Sequence, residues 1–104
     1  DHDAKLALSQ VHLLQRVSSM NAKAVRDAAA SDPEDLQAAL AVADLDLSGG
    51  HVEDAFRRLL NLVRTKAGDE KDTARQRLVD LFDVVGADDP RVVAARSQLM
   101  RALF

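Results

Sequence analysis

The stretch DPEDLQAALAVADLDLSGGHVEDAFRRLLNLVRTK, residues 32–66, decides how the rest of the chain is read. Its first half carries Leu36, Ala39, Leu40, Ala43 and Leu47 at helical spacing. Its second half carries Val52, Ala55, Phe56, Leu59, Leu60 and Val63 on the i, i+3, i+4, i+7 pattern of an amphipathic helix. Between them stands Ser48-Gly49-Gly50, and glycine ends a helix by taking the left-handed conformation without a Cβ penalty. At the front, Asp32 is expected as N-cap, with Pro33 in the first helical turn. Two helices joined by so short a turn must lie antiparallel and pack as a hairpin.

The same punctuation recurs outward as SSMN, SDP, AGDEKD and GADDP, and it divides the chain into about six helices. The first is expected over 2–17, with Leu6, Leu13, Leu14 and Val17, and the second, short, over 21–30, with Ala22, Val25 and Ala29. The fifth carries Ala74, Leu78, Leu81, Phe82 and Val85 and stops at Gly86, and the sixth opens at Asp89-Pro90. Alternating β-branched or aromatic runs are missing, so the fold class is all-α with no sheet. The central hairpin has the length of a tetratricopeptide repeat, about 34 residues. Ala43 and Ala55 supply small residues where two helices must approach closely, although Ala39 and Asp46 stand where such repeats often carry Trp and Tyr. A fainter echo, with Leu8-Ser9 opposite Val42-Ala43 and Val25 opposite Leu59, extends the repeat to the first two helices. The competing reading is a generic helical bundle.

Bulk composition narrows the function. The 104 residues make one domain, 47 % apolar and 30 % charged, with a formal net charge of -3 and both signs interleaved. A basic, clustered nucleic-acid footprint is not seen. No apolar run approaches the ~20 residues of a membrane span, and no signal peptide is visible. Cysteine is absent, which removes disulfides, thiolate zinc sites and thiol redox chemistry from this chain. Without Trp or Tyr, and with three Phe, aromatic cages and base-stacking platforms are nearly impossible. The chain starts at Asp1 rather than Met and is expected to be part of a longer protein.

The motifs that could carry chemistry fall short. In DLDLSGG, Asp44, Asp46 and Ser48 are spaced like calcium ligands at loop positions 1, 3 and 5, but position 12, which needs a bidentate Glu, is Ala55. A plain helix end fits better. His2, His12 and His51 never pair at i, i+3 or i, i+4, so no helix face offers a metal pair. Ser9 and His12 could touch on one turn but lack an orienting acid and an oxyanion hole. Asp32 and Asp89 follow capping logic, and Asp69, Glu70 and Asp72 are expected just before the fifth helix. Arg57, Arg58, Arg64 and Lys66 read as a solvated face of the fourth. No catalytic, cofactor-binding or metal residue is assigned, and the expectation is a non-enzymatic module whose hairpins form a groove for a peptide or helix.

The final segment DDPRVVAARSQLMRALF, 88–104, carries two apolar stripes. Val92, Ala95, Leu99 and Leu103 form one, and Val93, Met100 and Phe104 form the other. Together they span roughly 200°, where docking one face needs about 100°. Either both seal the core or one is held out for a partner. This segment, with GGHVEDAFRRLLNLVR (49–64) and ARQRLVDLFDVVG (74–86), resembles the C-terminal region of the bacterial thioredoxin-like co-chaperones called chaperedoxins. The resemblance implies a thioredoxin-like domain upstream of Asp1, cytoplasmic location, and a role in holding unfolded clients and passing them to a GroEL-type chaperonin. It also implies that the last helix docks on the chaperonin, through Arg96, Leu99, Met100, Leu103 and Phe104. Relatives often carry an aromatic residue where this chain has Ala95 and a basic run where it has Arg96-Ser97-Gln98. A structural alternative is that the helices position the upstream domain or mediate self-association.

Overall fold

The computed structural model describes residues 2–104; Asp1, and with it the expectation about the chain's start, lies outside them, as does the side chain of His2. Six helices follow one another: α1 (His2–Ser18), α2 (Ala22–Ser31), α3 (Leu36–Ser48), α4 (Val52–Thr65), α5 (Gly68–Val85) and α6 (Pro90–Leu103). No strand occurs among the described residues.

Helix α4 keeps its apolar pattern over its whole length. It packs against α3, α5 and α6, and Val52, Ala55, Phe56, Leu59, Leu60, Leu62 and Val63 are all buried. Ala43, Ala55 and Ala74 have no exposed surface, as close approach of α3, α4 and α5 requires. Phe56 meets Phe82 edge-to-face at 5.0 Å between ring centroids, the arrangement favoured by the ring quadrupoles. The turn after α3 closes as a Schellman motif. The His51 amide donates to the Asp46 carbonyl at 2.7 Å and the Gly50 amide to that of Leu47 at 3.0 Å, with Gly50 at φ 87°.

Three expectations need correcting. Asp32 does not cap α3. Its own amide donates to the Ala28 carbonyl and closes α2, and its carboxylate accepts from the Glu34 amide at 3.1 Å. Pro33 therefore sits in a turn, for which it is as well suited as for a helix start, and Asp35 caps α3 by accepting from the Ala38 amide at 3.1 Å. Asp69, Glu70 and Asp72 lie inside α5 rather than before it; acids in a first turn complement the helix dipole. Finally, α1 and α2 do not form a repeat hairpin, because α1 does not pack on α2. It crosses α3 and α5 instead, and α2 rests on α3 alone.

Candidate protein-binding surfaces

Two aspartates of α3 arrange its neighbours. Residues two apart on a helix point about 200° away from each other, so Asp44 and Asp46 face different sides. Asp44 is fully buried and accepts from Arg16 Nε at 2.9 Å and Arg16 Nη2 at 3.1 Å, which fastens α1; Arg77 Nη1 of α5 donates to the same carboxylate. Asp80 of α5 extends the cluster, accepting from Arg16 Nη2 at 3.4 Å and from the Ser9 hydroxyl at 3.3 Å. Burial lowers the pKa of Arg77 against the opposing pull of Asp44. Asp46 accepts from Arg26 Nη2 at 3.0 Å and fastens α2. Sequence reading weighed these two carboxylates as metal ligands or helix-end residues and missed their role as clamps. Unpaired acids at apolar stripe edges, matched by Arg16, Arg26 and Arg77, were the available signal.

The consequence concerns the groove. Stacked hairpins offer partners a concave face built from equivalent helices; here α3 and α5 form one side and α1 already lies across it. The groove expected as a peptide site is filled by the chain's own first helix. That helix buries Leu13 and Ser9 and leaves Leu8, Val11 and Leu14 exposed on its outer side.

The last helix divides as its two stripes suggest. Asp89 caps it, accepting from the Arg91 amide at 2.8 Å, with Pro90 in the first turn. The Arg91 guanidinium also donates to this carboxylate, and that pairing holds the Asp89 pKa down at about 2. Val92, Ala95 and Leu99 are buried, and Leu103 packs partly against the core. Val93 (57 % exposed), Met100 (56 %) and Phe104 (94 %) face outward. Of the five docking candidates, then, Met100 and Phe104 present an apolar surface, Leu103 is half-buried, and Leu99 at 6 % is committed inward. The Arg96 guanidinium lies 5.1 Å from the centre of the Phe82 ring, a cation–π contact that fixes it beside the stripe. Val93 completes the outward stripe although it is not among those five residues.

Among the described residues no group of three or more His, Cys, Asp or Glu side chains could hold a metal ion, and no helix is long and apolar enough to cross a membrane. The profile of the tetratricopeptide repeat family matches residues 15–104. The chain belongs to that family. As a tetratricopeptide repeat domain it is a protein–protein interaction module, all-α and six-helical. It is 39 % identical over 102 residues to the uncharacterized protein Rv1324 of Mycobacterium tuberculosis and to the uncharacterized protein Mb1359 of Mycobacterium bovis. The alignment covers 98 % of this chain and 33 % of each relative, so the chain spans about a third of their length. No solved structure matches the chain. The family match begins at Gln15, so most of α1, the helix that fills the groove, lies ahead of the repeat proper.

Proposed function

We propose that this tetratricopeptide domain is the partner-docking part of a cytoplasmic, thioredoxin-like co-chaperone that holds unfolded clients and passes them to a GroEL-type chaperonin. The observation that carries the proposal is the outward stripe Val93, Met100 and Phe104 on a helix whose other stripe is already buried. An apolar strip left exposed along a helix suits insertion into an apolar site on a partner. The resemblance of 49–64, 74–86 and 88–104 to chaperedoxins supplies the partner. Arg96, held beside the stripe, offers a charge to its rim.

The test uses the full-length parent protein and a purified GroEL-type chaperonin in analytical ultracentrifugation. Comigration is expected, and Met100→Asp with Phe104→Asp should abolish it while the helical circular dichroism at the assay temperature stays that of the parent. Failure of the unsubstituted protein to comigrate overturns the docking. Failure to delay the aggregation of an unfolded client, read by light scattering, overturns the holding role.

A second reading has its own observation. Leu8, Val11 and Leu14 form an exposed apolar stripe on α1, and about two thirds of each relative's length lies outside the match. This stripe would seat the upstream domain. The chain without that domain should then self-associate in sedimentation, and a well-behaved monomer counts against it.

A further inference from the structure

Among the described residues helix α2 packs on α3 and on no other helix, and the gap between α2 and α4 stays open as a cleft of about 620 Å³. Its lining is unusual for an acidic chain: Arg26 on the α2 side, and Arg57, Arg58 and Arg64 on α4. Asp46 and Asp54 neutralise two of them, pairing with Arg26 and Arg57 at 3.0 Å each. Arg58 and Arg64 are exposed, and among the described residues neither has an interaction partner. The cleft continues into an apolar end of about 310 Å³ lined by Ala29, Ala30, Pro33 and Val42. Val42 beneath this end is buried yet stands apart from the main core cluster.

Two free guanidiniums beside an apolar floor select a ligand that is anionic and amphipathic. We propose that the α2–α4 cleft binds an acidic peptide segment of a partner protein, with carboxylates on Arg58 and Arg64 and small apolar side chains over Ala29, Ala30 and Pro33. Guanidinium suits carboxylate because its donors match the two oxygens in pairs. A nucleic acid fits less well. The chain's net charge of -3 repels an extended polyanion, and the cleft has no aromatic ring to stack a base. This surface lies apart from the outward stripe of α6, so the proposal stands or falls independently of chaperonin docking.

The experiment is a fluorescence-anisotropy titration of the chain with a labelled synthetic peptide alternating glutamate with alanine and leucine. Saturable binding that weakens with salt is expected. Arg58→Ala with Arg64→Ala should weaken it about tenfold, since two exposed charge pairs together contribute on that scale. Both side chains are exposed, so the variant's thermal midpoint should match the parent's, and Arg75→Ala on α5 should bind as the parent does. The proposal is overturned by an absence of saturable binding, by equal binding in the double variant, by loss of binding in Arg75→Ala, or by a single-stranded oligonucleotide binding more tightly than the peptide.

Discussion

Leu99 and Met100 are consecutive, and the fold assigns them opposite fates. Leu99 is 6 % exposed and belongs to the core cluster, whereas Met100 is 56 % exposed. Truncating a buried leucine to alanine removes its transfer free energy and leaves a cavity, at a cost of about 2–5 kcal/mol, so about 3 kcal/mol is expected for Leu99→Ala. Met100 keeps less than half of its surface buried, and full burial of such a side chain is worth about 1.5–3 kcal/mol, so Met100→Ala should cost about 1 kcal/mol or less. In a domain of this size, 1 kcal/mol moves the thermal midpoint by roughly 4–8 °C. Leu99→Ala should therefore lower it by about 12–24 °C, and Met100→Ala by about 8 °C at most. Urea titration followed by helical circular dichroism gives the same comparison with the slope as a check on two-state behaviour. Equal losses, or a larger loss for Met100→Ala, would refute the division of α6 into an inner and an outer stripe.

Other outcomes follow from the clamps and the cap. Asp44→Asn removes the buried partner of Arg16 and Arg77 and should cost about 3 kcal/mol in urea unfolding, the low end for a broken buried pair because both guanidiniums reach solvent; a loss under about 1 kcal/mol counts against the clamp. Asp46→Ala should speed amide hydrogen exchange across α2, which has no buried residue of its own, and leave α4 protected; unchanged exchange in α2 refutes the tether. Asp89 has its pKa lowered from 3.8 to about 2, so its contribution is present above the ordinary value and is lost as pH falls through about 2. The difference in midpoint between Asp89→Ala and the parent should be full near about pH 5 and shrink between about pH 4 and 2, and a constant difference contradicts this.

The helices were legible in the sequence where one apolar stripe met one cap. Val52 to Val63, Asp89-Pro90 and the Gly49-Gly50 turn all occupy their expected places. Boundaries failed where a residue could serve two elements. Asp32 ends α2 and so cannot start α3, and AGDEKD reads as a loop by composition but begins α5. Placement of α1 was not legible, because it depends on ion pairs such as Arg16 with Asp44 and Asp80, and periodicity carries no information about which charges meet. For the surfaces, the two-stripe helix was readable from the wheel. The α2–α4 cleft was not, since Arg58 and Arg64 look like any solvated pair until the gap beside them is seen.

The position of α1 also sets an order of events during synthesis. Its hydrogen bonds reach far along the chain: Ser9 to Asp80 spans 71 residues and Gln10 to the Val84 carbonyl spans 74. Although α1 precedes α3 and α5 in the chain, it cannot make these bonds until α5 has emerged, while the α3–α4 hairpin closes from neighbours. Contacts of such long separation form late and slowly. For that interval the α3–α5 face is open, and the nascent domain displays a groove that the finished one has closed.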